Sequence, residues 1–346
     1  MTTPLLNSEV MRELVECMFK KSENVATFVQ FALSSKQALQ ALHSTLTNRL
    51  RIDMFWEKFY FFCLGIKPGI AFPTEDLSDK NMEPVYLLCK FVKKMEFDFF
   101  YYAASRWSDE QNKCLEKLIA ACRNCTKFSY HRKVGRKHVV PPGIDELAQS
   151  VPCLSVSNAY LQHLCSKVEA LPLVTTLLIS LGSKNSLYMP SEAFVPNVTT
   201  LTLFNPHSTS YIYLKSKLTF SKVKHLTIQT SYETVCTIDN FKEMFSLMEN
   251  LPALKTAEFF CNYQDSYTDG EIVQHAFNDI KHDGVVSISL DQKYNRPSTD
   301  ADTTGFRSLN DGEHDPSQIW KRTLSQNGKN LQHTIRFRYI VSTIFK

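Results

Sequence analysis

Two stretches of this 346-residue chain place chemically capable side chains close together. Cys122-Arg123-Asn124-Cys125, with His131 and His138 beyond it, offers thiols and imidazoles at the spacing of half a structural zinc site. The second ligand pair that such a site needs does not follow at a defined distance. Cys122 also shares the apolar face of a helical run with Leu115, Leu118 and Ile119, and Cys125 opens a strand-like pattern, so core packing accounts for both. His131-Arg132-Lys133-Val134-Gly135-Arg136-Lys137-His138 is the densest basic run. It has the chemistry to bind an acidic or phosphorylated segment, or to act as a nuclear address. A solvated loop between repeats is the simpler reading and takes precedence. No GxGxxG or Walker loop occurs, and no G-x-S-x-G or H-E-x-x-H. The expectation is a protein that is not an enzyme and carries neither metal nor cofactor.

Composition narrows the setting. The balance of 39 basic against 35 acidic residues, net +4, demands neither nucleic acid nor a membrane as partner. The opening Met1-Thr2-Thr3-Pro4 lacks the charged and apolar regions of a signal peptide. The most apolar stretches, near 55–64 and 97–104, fall short of the roughly 18–20 residues of a membrane span. Ten cysteines without a framework suit reduced thiols in the cytoplasm or nucleus. The glycosylation sequons at Asn124 and Asn197 then read as chance matches.

The elements that position these groups begin with three short helices in residues 7–50. Val10, Leu14 and Met18 line one face of the first, with Met11 and Val15 beside them and Asn7 or Ser8 as cap. Val25, Phe28, Val29, Ala32 and Leu33 follow helical spacing in the second. Leu39, Leu42, Leu46 and Leu50 stripe the third, after a Ser34-Ser35 cap. None is long enough to be stable alone, so they must pack together or on a partner. Residues 51–107 are aromatic-rich and broken by Pro68, Gly69, Pro73 and Pro84; short helices are expected, most clearly over 85–95.

From residue 108 onward an internal repeat appears, apolar-x-x-apolar-x-apolar. It occurs at Val174/Leu177/Ile179, Val198/Leu201/Leu203, Val223/Leu226/Ile228, Leu254/Ala257/Phe259 and Val285/Ile288/Leu290, starting 24, 25, 31 and 31 residues apart. Cys125/Phe128/Tyr130 is a weaker upstream copy. Leu171-Pro172, Val195-Pro196 and Leu251-Pro252 give three copies the same lead-in. Between them, Leu161/Leu164/Cys165/Val168, Phe241/Met244/Phe245/Met248 and Ile272/Val273/Ala276/Ile280 each mark one helix face. Ser108-x-x-Gln111 and Thr268-x-x-Glu271 read as capping boxes. Such units bury their apolar faces only by stacking. The expected fold is α+β: a short N-terminal helical module (1–50), a helical connecting region (51–107), and a leucine-rich-repeat-like α/β solenoid with a parallel sheet (108–346). A flexible loop at about 292–317 interrupts it, and alternating Ile335, Phe337, Tyr339 and Val341 close it as a final strand.

The N-terminal helices resemble an F-box, on Pro4, Glu9-Val10 with Leu14-Val15, and Phe31-Ala32-Leu33-Ser34-Ser35-Lys36 followed by Leu39 and Leu42. The hexads resemble leucine-rich repeats over roughly 170–291, although only Asn262 meets the family's asparagine, with Gly182, Pro206, Ser231 and Lys293 at the equivalent places. This pairing implies a non-catalytic substrate-recognition subunit of a cullin-type ubiquitin ligase. Pro4, Val10, Leu14, Phe28, Leu33 and Leu39 would then dock on the adaptor, which links the chain to the cullin. A protein substrate would bind the repeat surface. A leucine-rich-repeat scaffold or receptor with no ubiquitin link is the alternative. Strand geometry sends the residues between the hexad positions to the opposite face of the sheet. Leu178, Phe204, His225, Gln229, Glu258, Phe260 and Asp291 are the partner-binding candidates on that face. Phe204 and Phe260 are expected as anchors, and Glu258 with Asp291 as an acidic side favouring a basic partner.

Overall fold

In a computed structural model the chain forms mixed α/β structure, described for residues 8–21, 25–47, 49–55, 58–63, 66–73, 79–97, 108–131, 140–181, 188–205, 211–232, 237–263, 270–282, 286–294, 305–308, 317–326 and 328–338. It divides into two compact units, Met1–Val156 and Ser157–Lys346. The boundary falls inside the stretch expected to form one repeat domain.

The first unit opens with α1 (Ser8–Lys21), α2 (Val25–Ser34) and α3 (Lys36–Leu46). The Ser35 hydroxyl accepts from the Ala38 N–H at 3.0 Å and caps α3, as its sequence position requires. α3 packs on both other helices, and Met11, Val15, Ala38, Ala41, Leu42 and Leu46 are buried.

Residues 51–107 depart from the helical expectation. They supply β1 (Leu50–Phe55), β2 (Lys58–Cys63), β3 (Ile66–Pro73) and β4 (Val92–Phe97), with a single described helix, α4 (Asp79–Cys89). The physical reason is visible in β2, where Phe59, Phe61 and Cys63 are buried while Tyr60 and Phe62 face the other way. Apolar residues on both faces hide the period-two alternation, and aromatic-rich runs favour strands. Pro68 and Pro73 sit on β3, an edge strand, where a missing N–H costs no internal ladder bond. The helix expected over 85–95 ends at Cys89, and its second half is β4. After α5 (Asp109–Ala121), β5 (Lys127–Tyr130), α6 (Ile144–Ser150) and β6 (Cys153–Ser157), the order across this part is β3-β2-β1-β4-β5-β6. β1, β4, β5 and β6 run parallel. The Ser108–Gln111 capping box starts α5 as expected.

In the second unit α7 (Asn158–Lys167) precedes β7 (Thr176–Ser180) and β8 (Thr200–Phe204). Then come α8 (Tyr211–Lys217), β9 (His225–Tyr232), α9 (Ile238–Ser246), a 3-10 turn (Leu247–Asn250), β10 (Thr256–Tyr263), α10 (Gly270–Asn278) and β11 (Ser287–Tyr294). β12 (Arg307–Ser308), β13 (Ser317–Gln326) and β14 (Lys329–Arg338) complete it, in the order β7-β8-β9-β10-β11-β14-β13-β12. β7 to β11 and β14 are parallel; β13 pairs antiparallel with β14, and β12 antiparallel with β13. Every described hexad residue from Val174 to Leu290 is buried, in rows such as Leu177–Leu201–Leu226–Ala257–Ile288. On the helix side, Phe241, Met244, Phe245 and Met248 are buried, and the Phe245 ring meets Phe259 edge-on at 5.1 Å.

The repeated lead-in has a structural cause. The first residue of a hexad donates its N–H to the carbonyl three residues back, as in Val174 to Leu171, Val198 to Val195 and Leu254 to Leu251, at 3.0–3.3 Å. The residue just before the hexad reaches sideways to the preceding copy. Asn124 Nδ2 donates to the Lys90 carbonyl at 2.7 Å, Asn197 Nδ2 to that of Pro172 at 2.9 Å, and Lys222 Nζ to that of Pro196 at 2.8 Å. Both sequon asparagines thus serve as links between adjacent copies.

The C-terminal part differs from expectation. Gln292 to Tyr294 belong to β11, Gly305 and Phe306 lead into β12 (Arg307 and Ser308), and Ser317 opens β13; the rest of 292–317 lies outside the described residues. The last strand starts at Lys329, well before Ile335, and pairs with a strand that apolar patterning had not marked. A two-residue link, Asn327-Gly328, joins them, with Gly328 at φ 74°. That dipeptide is a strong hairpin signal. Among the described residues no helix is long and apolar enough to cross a membrane.

Candidate functional site

Two surfaces collect the residues singled out by sequence. On the N-terminal helices, two faces separate cleanly. Met11 and Val15 of α1 and Leu42 and Leu46 of α3 are buried, whereas Val10, Leu14, Leu33 and Leu39 are 47, 42, 75 and 49 % exposed. Pro4 and the side chain of Phe28 lie outside the described residues. The stripe expected through Leu39, Leu42, Leu46 and Leu50 therefore splits, with Leu39 outward and the other three inward. α1 also lies against β3, and α2 against α4.

The second surface is the sheet face of the second unit opposite the hexad residues. Strand pairing places Ser180, Phe204, Gln229, Phe260, Asp291, Thr334, Lys321 and Arg307 in one continuous row across eight strands. Phe204 and Phe260 are half-buried in it, separated by Gln229. Leu178 and Glu258 share the next row, the first half-buried and the second exposed. His225 is exposed one row further, with Nδ1 2.7 Å from Thr256 Oγ1.

Asp291 corrects the expected acidic side. It is buried, and Arg336 of β14 donates Nε to both carboxylate oxygens at 3.0 Å. Its charge is balanced within the protein, leaving Glu258 as the exposed acid of the candidate set. Arg336, Lys293, Lys321 and Arg307 on this face were missed. For Lys293 a cue existed, since it stands two residues beyond Asp291 and must face the same way. Arg336 follows Ile335, which is buried, so its side chain leaves the opposite face of the strand. Lys321 and Arg307 offered no cue, because their strands carry no repeat pattern.

The other face at this C-terminal end holds a polar network within the core. His333 occupies the row of Phe259 and Leu290 and is fully buried. Its Nε2 contacts Gln292 Oε1, and its Nδ1 accepts from Arg322 Nε at 3.2 Å. Gln292 in turn donates to the Tyr263 hydroxyl at 3.3 Å, and the Arg322 guanidinium stacks over Phe306 at 4.5 Å. Burial first, and the Arg322 charge second, hold the His333 imidazole well below its ordinary value of 6.5.

The thiols of the zinc reading are buried. Burial drives Cys122 well above its ordinary value, with Cys89 beside it, and pushes Cys125 up to about 11. At neutral pH they are thiols, and a thiol is a poor nucleophile beside a thiolate. His131 Nε2 lies 2.7 Å from Ser155 Oγ; the remainder of the basic run lies outside the described residues. No group of three or more His, Cys, Asp or Glu among the described residues is placed to hold a metal ion. No protein-family model and no curated protein matches this chain.

Proposed function

We propose that the chain is the non-catalytic substrate-recognition subunit of a cullin-type ubiquitin ligase, working in the cytoplasm or nucleus. In this reading α1–α3 are an F-box-like module that docks on the adaptor subunit, which joins the chain to the cullin. The second unit is a leucine-rich-repeat-like solenoid whose open sheet face binds a protein substrate around Phe204 and Phe260. One observation carries the docking half: all four described residues that the F-box resemblance assigns to the adaptor, Val10, Leu14, Leu33 and Leu39, are exposed aliphatics. Burying such a side chain is worth about 1.5–3 kcal/mol. Being only 42–75 % exposed, the four together supply part of the roughly 8 kcal/mol of a micromolar complex.

The second reading is a scaffold or receptor with no ubiquitin link, its helices serving only as a cap. The packing of α1 on β3 and α2 on α4 favours it, because a cap would make those contacts. It leaves the four exposed aliphatics without a role. Affinity purification of the full chain followed by mass spectrometry separates the two. Adaptor and cullin recovered with the wild type, and lost with Leu14→Ser/Leu33→Ser/Leu39→Ser, support the ligase reading. A wild-type protein that never recovers the adaptor overturns it.

A further inference from the structure

The open sheet face ends in a cluster of cations whose arrangement is unfavourable as it stands. Lys293 on β11 is paired directly with Arg336 on β14, and Lys321 on β13 directly with Arg307 on β12. Like charges directly opposite each other on neighbouring strands repel and lower stability. Asp291 answers Arg336. Among the described residues no carboxylate forms an ion pair with Lys293, Lys321 or Arg307. Lys321 and Arg307 are exposed and Lys293 is half-buried, so the charges are open to solvent and to a partner.

Register places this cluster beside the aromatics. Phe204, Phe260, Asp291, Lys321 and Arg307 share one row, and Lys293 and Arg336 lie one step along the strands. From Phe260 to Lys321 is three strand spacings, about 14 Å, which an extended peptide covers in about four residues.

We propose that this face binds an acidic peptide segment of a partner protein, laid across the strands. An apolar side chain sits on Phe260 or Phe204, and carboxylates or phosphates lie over Lys293, Lys321, Arg307 and Arg336. This rests on reading the open face as a partner surface, and it replaces the expected preference for a basic partner with the opposite one. The bound anion relieves the uncompensated Lys321–Arg307 pair, so the repulsion kept in the free protein favours the complex. Phosphate oxygens suit Arg336 and Arg307 as well as carboxylates do, and the two sources are told apart by probe.

The test is fluorescence anisotropy of the full chain with labelled peptides carrying one leucine and, about four residues on, a run of glutamates, phosphoserines or glutamines. Glutamate or phosphoserine peptides should bind at least about tenfold more tightly than the glutamine peptide, and the gap should shrink as salt is raised. Whichever acidic probe binds more tightly identifies the anion source. Lys293→Glu/Lys321→Glu should lose that preference, and Lys321→Glu alone should melt higher than the wild type, because it turns the uncompensated like-charge pair with Arg307 into an opposite one. A purely structural role for these lysines would not give loss of binding with gain of stability. Asp311, Glu313 and Asp315 lie outside the described residues, and Asp311→Asn/Glu313→Gln/Asp315→Asn is measured in parallel. Binding seen only in that variant still supports the site. The proposal is overturned by no acidic preference in either background, by unchanged binding in Lys293→Glu/Lys321→Glu, or by a single-stranded oligonucleotide that outcompetes both acidic peptides. Adaptor docking is read on α1–α3, so failure here is distinguishable from failure of the ligase reading.

Discussion

The N-terminal helices and the open sheet face of the second unit present opposite kinds of surface. The helices leave aliphatic side chains in water; Leu33 is the most exposed, at 75 %. The sheet face shows mostly Thr, Ser and Gln, two half-buried aromatics and a cationic end. An aliphatic surface gains by excluding water and responds weakly to salt, whereas a charged one gains by complementarity and weakens as salt screens it. If both are binding surfaces, they should differ in salt dependence and in what their removal does to the fold.

The largest effect is expected where the two faces of one strand are set against each other. Phe259 is fully buried against Phe245, while Phe260, the next residue, looks out of the sheet. Phe259→Ala should cost about 3–5 kcal/mol in denaturant unfolding. Phe260→Ala, losing only half-buried area, should cost a minor fraction of that. Equal losses would mean that something covers the outer row and that Phe260 is core.

A smaller effect tests the C-terminal end from its inner face. The folded chain holds His333 below its ordinary value of 6.5, so the unfolded chain binds its proton first as pH falls. Above that value both states are neutral and His333 contributes no pH dependence. Below it stability drops, by up to about 1.4 kcal/mol per pH unit, until the folded imidazole also protonates. Chemical denaturation at pH 7 and pH 5 should show this slope for the wild type and its loss for His333→Gln. An unchanged slope would show that His333 is not the proton-linked group. The contacts agree with a neutral ring, since Nδ1 accepts from Arg322 and can do so only without a proton.

The smallest effect belongs to the exposed helix faces. Leu39→Ser should change stability by no more than about 0.5 kcal/mol. Leu42→Ala, three residues along the same helix but buried, should cost about 2–5 kcal/mol. Thermal melting of the two variants side by side decides it. A large loss in Leu39→Ser would assign that face to the fold rather than to a partner.

How far the sequence could be read follows the same physics. The repeated strands were legible because one face is continuously apolar, so Val174, Leu177 and Ile179 predict where Val198, Leu201 and Leu203 will lie. The same spacing at Val92/Met95/Phe97 and Val151/Leu154/Val156 marks β4 and β6, whose residues are equally buried. β2 was illegible because Tyr60 and Phe62 make its outer face as apolar as its inner one. β13 and β14 failed for the opposite reason: Arg322 and His333 put polar groups where the pattern requires apolar ones, and only Asn327-Gly328 betrayed the turn. On the open face, the row from Ser180 through Phe204 and Gln229 to Phe260 and Asp291 could be drawn from register alone. The partner of Asp291 could not, because Arg336 is 45 residues away and reaches it only through the β11–β14 pairing.

The most direct measurement is titration of the purified adaptor, bound to the N-terminal part of its cullin, with the full chain and with Leu14→Ser/Leu33→Ser/Leu39→Ser. The account predicts a wild-type dissociation constant of about micromolar or tighter, nearly independent of salt, and a loss of at least about a hundredfold in the variant with its melting temperature unchanged. Absence of binding by the wild type, or equal binding by both proteins, would contradict it.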